Sequence, residues 1–220
     1  MQPFFISGIG TGIGKTFISA LLAEALQADY WKPVQAGFDD GTDPETLRSL
    51  ISNPQTVIHP ETYRLRLPAS PHIAAREEDI RISLQRIYEQ WQTMDASRPL
   101  IVEGAGGLLV PLNDSDLMID LVKKLDAKLI LVSRNYLGSI NHSLLTAQVC
   151  RYREQPVAGW VFNDQFMDYE GDIVSWTGIP SLCSIPFLKN ISKKMVCQEA
   201  GRIRERVKTL LSPGRNRRGE

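Results

Sequence analysis

The hydrophobic pattern alternates along the chain between short apolar runs and longer segments whose apolar residues recur every three to four positions. The short runs predict β-strands, and most are nearly continuous in apolar residues, which is typical of strands covered on both faces. Because strands and helices alternate, the pattern predicts an α/β fold with a mostly parallel sheet and helices on both faces. The predicted strands are Phe4–Ser7, Tyr30–Val34, Leu100–Glu103, Lys128–Ser133, Val157–Phe162 and Leu182–Ile185.

The longer amphipathic segments predict the helices between these strands. Residues 53–76 carry four prolines and little periodicity, and they predict an irregular excursion. We expect a single domain over residues 1–211, followed at 212–220 by a disordered basic tail. The predicted helices are Lys15–Gln27, Pro44–Ser52, Ile80–Trp91, Asp116–Leu125, Ser139–Tyr152 and Gln198–Leu211.

The first predicted strand leads into a glycine-rich loop, GIGTGIGKT at residues 8–16, and then directly into a helix. Backbone N–H groups can crowd around triphosphate oxygens only where side chains are absent, and the helix adds its positive N-terminal end. Lys15 would place a charge on the β- and γ-phosphates, and Thr16 would give a hydroxyl to Mg²⁺. The usual spacing requires glycine at Ile9, but Gly8 stands one position earlier, so this is a lengthened P-loop.

A second cation, Lys32, stands at the end of the second predicted strand. Ligands of open α/β sheets bind beyond the carboxyl ends of the strands, so we expect Lys32 to lie near the P-loop. A second ammonium there suits a reaction that passes a phosphoryl group to an anion.

Several motifs together resemble the dethiobiotin synthetase family. Its P-loop, G-T-D-T-x-V-G-K-T, matches this loop in length and at Gly8, Thr11, Gly14, Lys15 and Thr16. The chain departs from the family at Gly10, at Gly12, and at Ala36, where members often have a hydroxyl beside the substrate. Further similar segments are WKPVQAG at 31–37, PASPH at 68–72, VEGAGG at 102–107, LGSINH at 137–142, LTAQ at 145–148, GWVFND at 159–164 and IP at 185–186.

The resemblance implies an ATP- and Mg²⁺-dependent ligase that closes the cyclic urea of dethiobiotin from 7,8-diaminononanoate and CO₂. The reaction proceeds through a carbamate and a carbamic–phosphoric anhydride. The resemblance also implies a homodimer, in which the start of the helix at Ser139 holds the substrate carboxylate of the partner's site.

The implied site residues fall into four overlapping groups. The catalytic residues are Lys15, Lys32 and Thr11; the nucleotide-binding residues are Gly8, Gly10, Thr11, Gly12, Ile13, Gly14, Lys15, Thr16, Phe17, Asn163 and Pro186. The substrate-binding residues are Lys32, Ala36, Ser70, Glu103, Gly106, Ser139, Ile140 and Asn141; the metal-side residues are Thr16, Asp43 and Glu103.

Some of these assignments leave structural alternatives open. Asp43 precedes Pro44, so it could be the N-cap of the helix there, either instead of binding a metal or in addition to it, and Asp39 and Asp40 are nearby rivals. Thr11, Ser70 and Asn163 could be ordinary turn or loop residues.

Two other functions compete with the ligase. A dimeric switch ATPase of the partitioning type also has a lengthened P-loop, but it carries an extra lysine where this chain has Gly10. An amidotransferase of corrin synthesis needs a glutaminase domain with a cysteine nucleophile, for which this chain has no room.

Charge and composition limit the classes of binding partner and the cellular location that we expect. Lys and Arg together number 25, as do Asp and Glu, so the formal net charge is zero and no global basic field favours nucleic acid or an anionic membrane. No apolar stretch approaches the ~18 residues of a membrane span, and Met1–Gly8 does not read as a secretory leader. The three widely spaced cysteines form no zinc pattern, so we expect a cytoplasmic protein with reduced cysteines.

Overall fold

The computed structural model describes residues 2–39, 41–163 and 168–211. Its main sheet has seven strands in the order β4-β2-β6-β1-β7-β8-β9, and each neighbouring pair is parallel. The strands are β1 (Phe4–Gly8), β2 (Asp29–Trp31), β3 (Val34–Ala36), β4 (Ile58–His59), β5 (Tyr63–Leu65), β6 (Leu100–Gly107), β7 (Lys128–Arg134), β8 (Val157–Asn163) and β9 (Ser181–Ile185). The helices are α1 (Lys15–Leu26), α2 (Asp43–Leu50), α3 (Pro71–Glu77), α4 (Leu84–Gln92), α5 (Met118–Lys124), α6 (Ser139–Tyr152), α7 (Glu170–Thr177) and α8 (Lys193–Leu211).

Helices cover both faces of this sheet, as the sequence predicts. Helices α1, α2 and α8 pack on one face around residues such as Ile6 and Leu21. Helices α3 to α7 pack on the other face around residues such as Phe5 and Leu121. Adjacent strand residues point to opposite faces, which is why Phe5 and Ile6 belong to different cores. Within the described residues, no helix is both long enough and apolar enough to cross a membrane.

The prediction of one strand over Tyr30–Val34 is wrong, because Lys32 and Pro33 interrupt it and separate β2 from β3. Trp31 still pairs with Val102 in the main sheet, whereas β3 pairs with β5 in a separate two-stranded sheet. Proline has no N–H to donate to a ladder, which favours the interruption. Lys32 therefore lies in the connection between the two sheets.

Other boundaries also differ from the sequence prediction. Residues 53–76 are less irregular than expected, since they contain β4, β5 and the start of α3, whose first residue is Pro71. Helix α4 begins at Leu84 instead of Ile80, because the Ser83 side chain caps it. Helix α8 begins at Lys193, five residues early, and α7 was not predicted. The tail predicted at 212–220 lies outside the described residues.

Candidate active site

The P-loop connects β1 to α1, so it lies at the positive N-terminal end of that helix. Gly14 precedes α1 with a φ of 88°, and the first turn contains no acidic residue. A side chain at Gly14 would meet the amide of Asn163, since an added Cβ would lie 2.1 Å from its Nδ2. Lys15 is buried, and its ammonium donates a hydrogen bond of 3.1 Å to the Gly10 carbonyl. Burial lowers the pKa of Lys15, and this effect outweighs the opposing charge of Glu103.

A cavity of about 760 Å³ opens beside the loop, at the carboxyl ends of the strands. It collects much of the set predicted from the sequence, namely Thr11, Gly12, Gly14, Lys15, Thr16, Lys32, Ala36, Asp43, Ser70, Glu103 and Gly106. The rest of its lining had no individual role in the sequence analysis, although all of it except Val110 lies in the segments similar to the family; these residues are Gln35, Pro68, Ala69, Pro71, Ala105 and Val110.

Three oxygen atoms from distant parts of the chain converge in this cavity. The Thr16 hydroxyl lies 2.7 Å from Oδ1 of Asp43 and 2.9 Å from Oε1 of Glu103. The single hydroxyl proton can be donated to only one of the two carboxylates at a time.

Asp43 is available for this cluster because its neighbour caps the helix. The Thr42 hydroxyl accepts a hydrogen bond from the Glu45 N–H, and the Glu45 carboxylate accepts one from the Thr42 N–H. This capping box makes Thr42 the N-cap of α2 and Asp43 its first residue. The alternative in which Asp43 is the N-cap is therefore wrong.

The Lys32 ammonium contacts both carboxylates, pairing with Oδ2 of Asp43 and lying 3.5 Å from Oε1 of Glu103. Burial lowers the pKa of Lys32, but the charges of Glu103 and Asp43 outweigh it, so the net shift is upward. Burial likewise raises the pKa of Asp43, and the Lys32 ammonium reverses that effect, so the net shift is downward. Lys32 is therefore a cation facing an ionised Asp43.

Two further residues support the cluster, and the sequence analysis missed both. The buried Tyr30 hydroxyl donates to Oε2 of Glu103 at 2.9 Å, and burial together with the Glu103 charge raises the pKa of Tyr30 well above its ordinary value. The Gln35 amide donates to the Gly37 carbonyl at 2.7 Å and accepts from the Asp43 N–H at 3.4 Å. No sequence signal marked Tyr30, because its contact with Glu103 depends on the register between β2 and β6.

The cluster fits Mg²⁺ held partly by a nucleotide. Thr16, Asp43 and Glu103 offer hard oxygen atoms, which Mg²⁺ prefers, and an oxygen of each carboxylate already lies within 2.9 Å of the Thr16 hydroxyl. In the part of the chain that the structure describes, no group of three or more His, Cys, Asp or Glu side chains could hold a metal by itself. Phosphate oxygens and waters would therefore complete the shell, as is usual for Mg²⁺ in nucleotide sites.

A smaller cleft of about 200 Å³ lies against the P-loop and is lined by Gly12, Gly14, Phe17, Arg134, Asn163, Phe187, Leu188 and Ile191. Asn163 donates a hydrogen bond of 2.7 Å from its side-chain N–H to the Ile13 carbonyl, which connects the P-loop to the end of β8. Pro186 directly follows β9, but it does not line this cleft. The base-reading role of Asn163 stays a prediction.

The remaining predicted residues lie away from the large cavity. Ser139 and Ile140 begin α6, and Asn141 is exposed on its first turn; none of the three lines the cavity. Gly8 ends β1, and Gly10 contributes only its carbonyl, to Lys15. Of the rivals to Asp43, Asp39 does not line the cavity and Asp40 lies outside the described residues.

Comparison with known proteins identifies the family. A family model described as an AAA domain matches residues 2–195. The ATP-dependent dethiobiotin synthetase BioD of Cytophaga hutchinsonii is 48% identical over 198 residues, which cover 89% of this chain and 94% of that protein. The chain belongs to the dethiobiotin synthetase family. The enzyme of the same name from Agrobacterium fabrum is 41% identical and covers 89% of this chain and 91% of its own length.

Solved structures resemble this dethiobiotin synthetase family member in fold alone. The MinC:MinD cell division complex of Aquifex aeolicus matches with a TM-score of 0.61 at 10% identity, covering 97% of both chains. A ParA family ATPase from Chlorobium tepidum TLS matches with a TM-score of 0.56 at 15% identity, covering 97% of this chain and 93% of the other. These likenesses confirm the P-loop α/β fold. Sequence identity of 41–48% places the chain with the ligases instead.

Proposed function

We propose that the protein forms the cyclic urea of dethiobiotin from 7,8-diaminononanoate and CO₂, with ATP converted to ADP and phosphate. The observation that carries this proposal is the convergence of two lysines, a threonine hydroxyl and two carboxylates in one cavity of about 760 Å³. Such a cavity suits the meeting of a small anion with a nucleotide phosphate.

The reaction is written in three steps. One amine of the substrate adds CO₂ and loses a proton to become a carbamate. A carbamate oxygen attacks the γ-phosphorus of ATP, the bond to the β-phosphate oxygen breaks, and ADP leaves. The second amine attacks the carbonyl of the resulting anhydride, loses a proton, and closes the ring as phosphate departs.

The main obstacle is repulsion between a carbamate anion and a triphosphate. Lys15 lines the cavity from the start of α1 and Lys32 from the connection between β2 and β3, so two ammonium groups can neutralise both partners. The open N–H groups of the loop bind phosphate oxygens, and Thr11 donates a hydroxyl on the same side. The P-loop contribution comes from Gly8, Gly10, Thr11, Gly12, Ile13, Gly14, Lys15, Thr16 and Phe17.

Thr16, Asp43 and Glu103 would hold Mg²⁺, which supplies charge neutralisation on the phosphate oxygens when bound. Asp43 and Glu103 also hold Lys32 in place. The two carboxylates thus favour the protonated form of Lys32 before substrate arrives.

The remaining assignments concern the two ends of the substrates. Ala36, Ser70 and Gly106 line the cavity and would contact the diamine. Asn163 and Pro186 would contact the adenine. The substrate carboxylate would bind at the start of α6 in a partner subunit. This homodimer agrees with the location of Ser139, Ile140 and Asn141 outside their own chain's cavity. We also propose a cytoplasmic location, where ATP and reduced thiols are available.

The test is release of phosphate from Mg-ATP in the presence of bicarbonate, measured with and without the diamine. We expect phosphate release to require the diamine and to equal the amount of urea product found by mass spectrometry. A switch ATPase would instead release phosphate at the same rate without diamine and form no urea. The Lys15→Ala protein provides the background rate.

A further inference from the structure

We propose that Tyr30 positions Glu103 so that only one of its carboxylate oxygens is open to a cation, and thereby favours Mg²⁺ over Ca²⁺. The inference rests on the proposed function only in taking Glu103 as a carboxylate on the metal side. It concerns a residue outside the P-loop that does not line the cavity itself.

The contact that carries the proposal is between two buried side chains. Tyr30 has no exposed surface, and Glu103 is 1% exposed. The Tyr30 hydroxyl donates to Oε2 of Glu103 at 2.9 Å, while Oε1 faces Thr16 at 2.9 Å and Lys32 at 3.5 Å. The two oxygens of one carboxylate are thus assigned to different partners.

Strand register explains how this contact arises. Tyr30 of β2 pairs with Ile101 of β6, and both pack into the core on the α1 side. Glu103 lies two residues beyond Ile101, so it projects from the same face of the sheet. The phenol is long enough to reach forward along this face to the carboxylate, whereas an aliphatic side chain at Tyr30 would fill the core without a donor.

The consequence for the metal follows from coordination chemistry. Ca²⁺ accepts both oxygens of one carboxylate in a flexible shell, whereas Mg²⁺ demands an octahedron at short distances and usually takes one oxygen from each carboxylate. The Tyr30 phenol holds Oε2 of Glu103 on the side of the core, so that Oε1 is the oxygen presented beside Thr16 and Lys32. Groups that orient a metal ligand in this way commonly change metal affinity by about 10- to 100-fold.

The test compares Tyr30→Phe with a matched control, Tyr63→Phe. Tyr63 is also buried, and its hydroxyl accepts a hydrogen bond from the Ser83 N–H, outside the cavity. Binding of ADP is titrated by calorimetry over a range of Mg²⁺ and, separately, Ca²⁺ concentrations, after thermal unfolding has confirmed that each variant is folded.

We expect Y30F to raise the Mg²⁺ concentration for half-maximal ADP binding about tenfold and to change the Ca²⁺ value less, so that the preference for Mg²⁺ falls. Y63F should keep the wild-type ratio. An unchanged ratio in folded Y30F would overturn the proposal. This test measures ADP binding, so its outcome does not depend on turnover. The proposed function is tested separately by diamine-dependent phosphate release, and its absence in the wild type would reject that function only.

Two further measurements extend the test, and the first of them keeps the proposal testable if Y30F does not fold. In the wild-type protein crystallised with ADP and Mn²⁺, we expect Glu103 to contact the metal through one oxygen while Oε2 keeps the Tyr30 hydroxyl; a two-oxygen contact would contradict this. In the Glu103→Gln background, Y30F should add no further change in the Mg²⁺ requirement, since Tyr30 acts through the carboxylate.

Discussion

The Thr16 hydroxyl lies 2.9 Å from the Glu103 carboxylate, although 87 positions separate the two residues in the chain. Strands β1 and β6 are parallel neighbours, so the P-loop that follows β1 meets the end of β6. This meeting brings the phosphate-binding loop, a carboxylate and Lys32 to one point.

Removal of either lysine should lower turnover. We expect Lys15→Ala and Lys32→Ala each to reduce kcat for urea formation by at least about 10²-fold, the scale for losing one charge-stabilising donor. Lys32→Ala also leaves Asp43 and Glu103 without their cation, so its thermal unfolding is measured alongside. The exposed Lys194 on α8 gives the control variant, Lys194→Ala, which should behave as wild type. Wild-type turnover in Lys32→Ala would remove Lys32 from the mechanism.

The charge of Asp43 should set the metal requirement. Asp43→Asn keeps the shape of the side chain and leaves the Thr42 cap intact, but it removes a negative charge beside Thr16. We expect the Mg²⁺ concentration for half-maximal activity to rise about tenfold or more. Asp39→Asn is the matched control; a larger effect there than at Asp43 would show that the wrong carboxylate was assigned.

Ala36 occupies a cavity position where the family often has a hydroxyl. Ala36→Ser should lower the KM for the diamine about fivefold, because one neutral hydrogen bond contributes ~1 kcal/mol. The KM for ATP, measured in the same experiment, should not change. A higher diamine KM in Ala36→Ser would mean that the hydroxyl has no partner there.

Asn163 has two candidate roles that one experiment separates. If its amide reads adenine, Asn163→Ala should raise the KM for ATP more than the KM for GTP. If it only straps the P-loop through Ile13, both values should rise by the same factor. We expect the first result, and equal factors would count against base reading.

The thiols should differ sharply in reactivity. Burial raises the pKa of Cys150 and of Cys183 to about 12, whereas Cys197 is exposed. At pH 8 the folded protein should therefore react with one equivalent of iodoacetamide, and the Cys197→Ser protein with almost none. In urea-unfolded protein all three cysteines of the wild type should react.

The same raised pKa values give stability a pH dependence. The unfolded chain releases these protons near the ordinary value of 9.0, and the folded chain only near 12. The contribution is therefore fully present below pH 9 and is lost as pH rises toward 12. The urea midpoint should fall over this range, and less steeply in Cys183→Ala; an equal slope would contradict the assignment.

The sequence predicted most of the residues that line the cavity, but it could not predict how they are held. P-loop glycines and Lys32 at a strand end are local signals with a direct chemical meaning. Tyr30 gave no such signal, because an aromatic residue in an apolar run indicates core packing, and its role depends on the register between β2 and β6. The sequence alone did not decide whether Asp43 is a helix N-cap or a metal-side residue, whereas the structure shows that Thr42 is the N-cap.

The strand boundaries predicted from the sequence were wrong around Lys32 for a similar reason. Nothing in the run Tyr30–Val34 indicates that the chain passes from one sheet to another. Strand β3 forms by pairing with β5, which lies in a segment predicted to be irregular. Tertiary pairing thus decided what local propensity could not.

In the proposed mechanism, Lys15, Lys32 and the metal-side carboxylates meet where a carbamate touches the terminal phosphate. A crystal structure with Mg²⁺, a non-hydrolysable ATP analogue, the diamine and bicarbonate would show whether they do. We expect the Lys32 ammonium within hydrogen-bond distance of both the γ-phosphate and the carbamate. A nucleotide bound with its γ-phosphate beyond the reach of Lys32 would contradict the account.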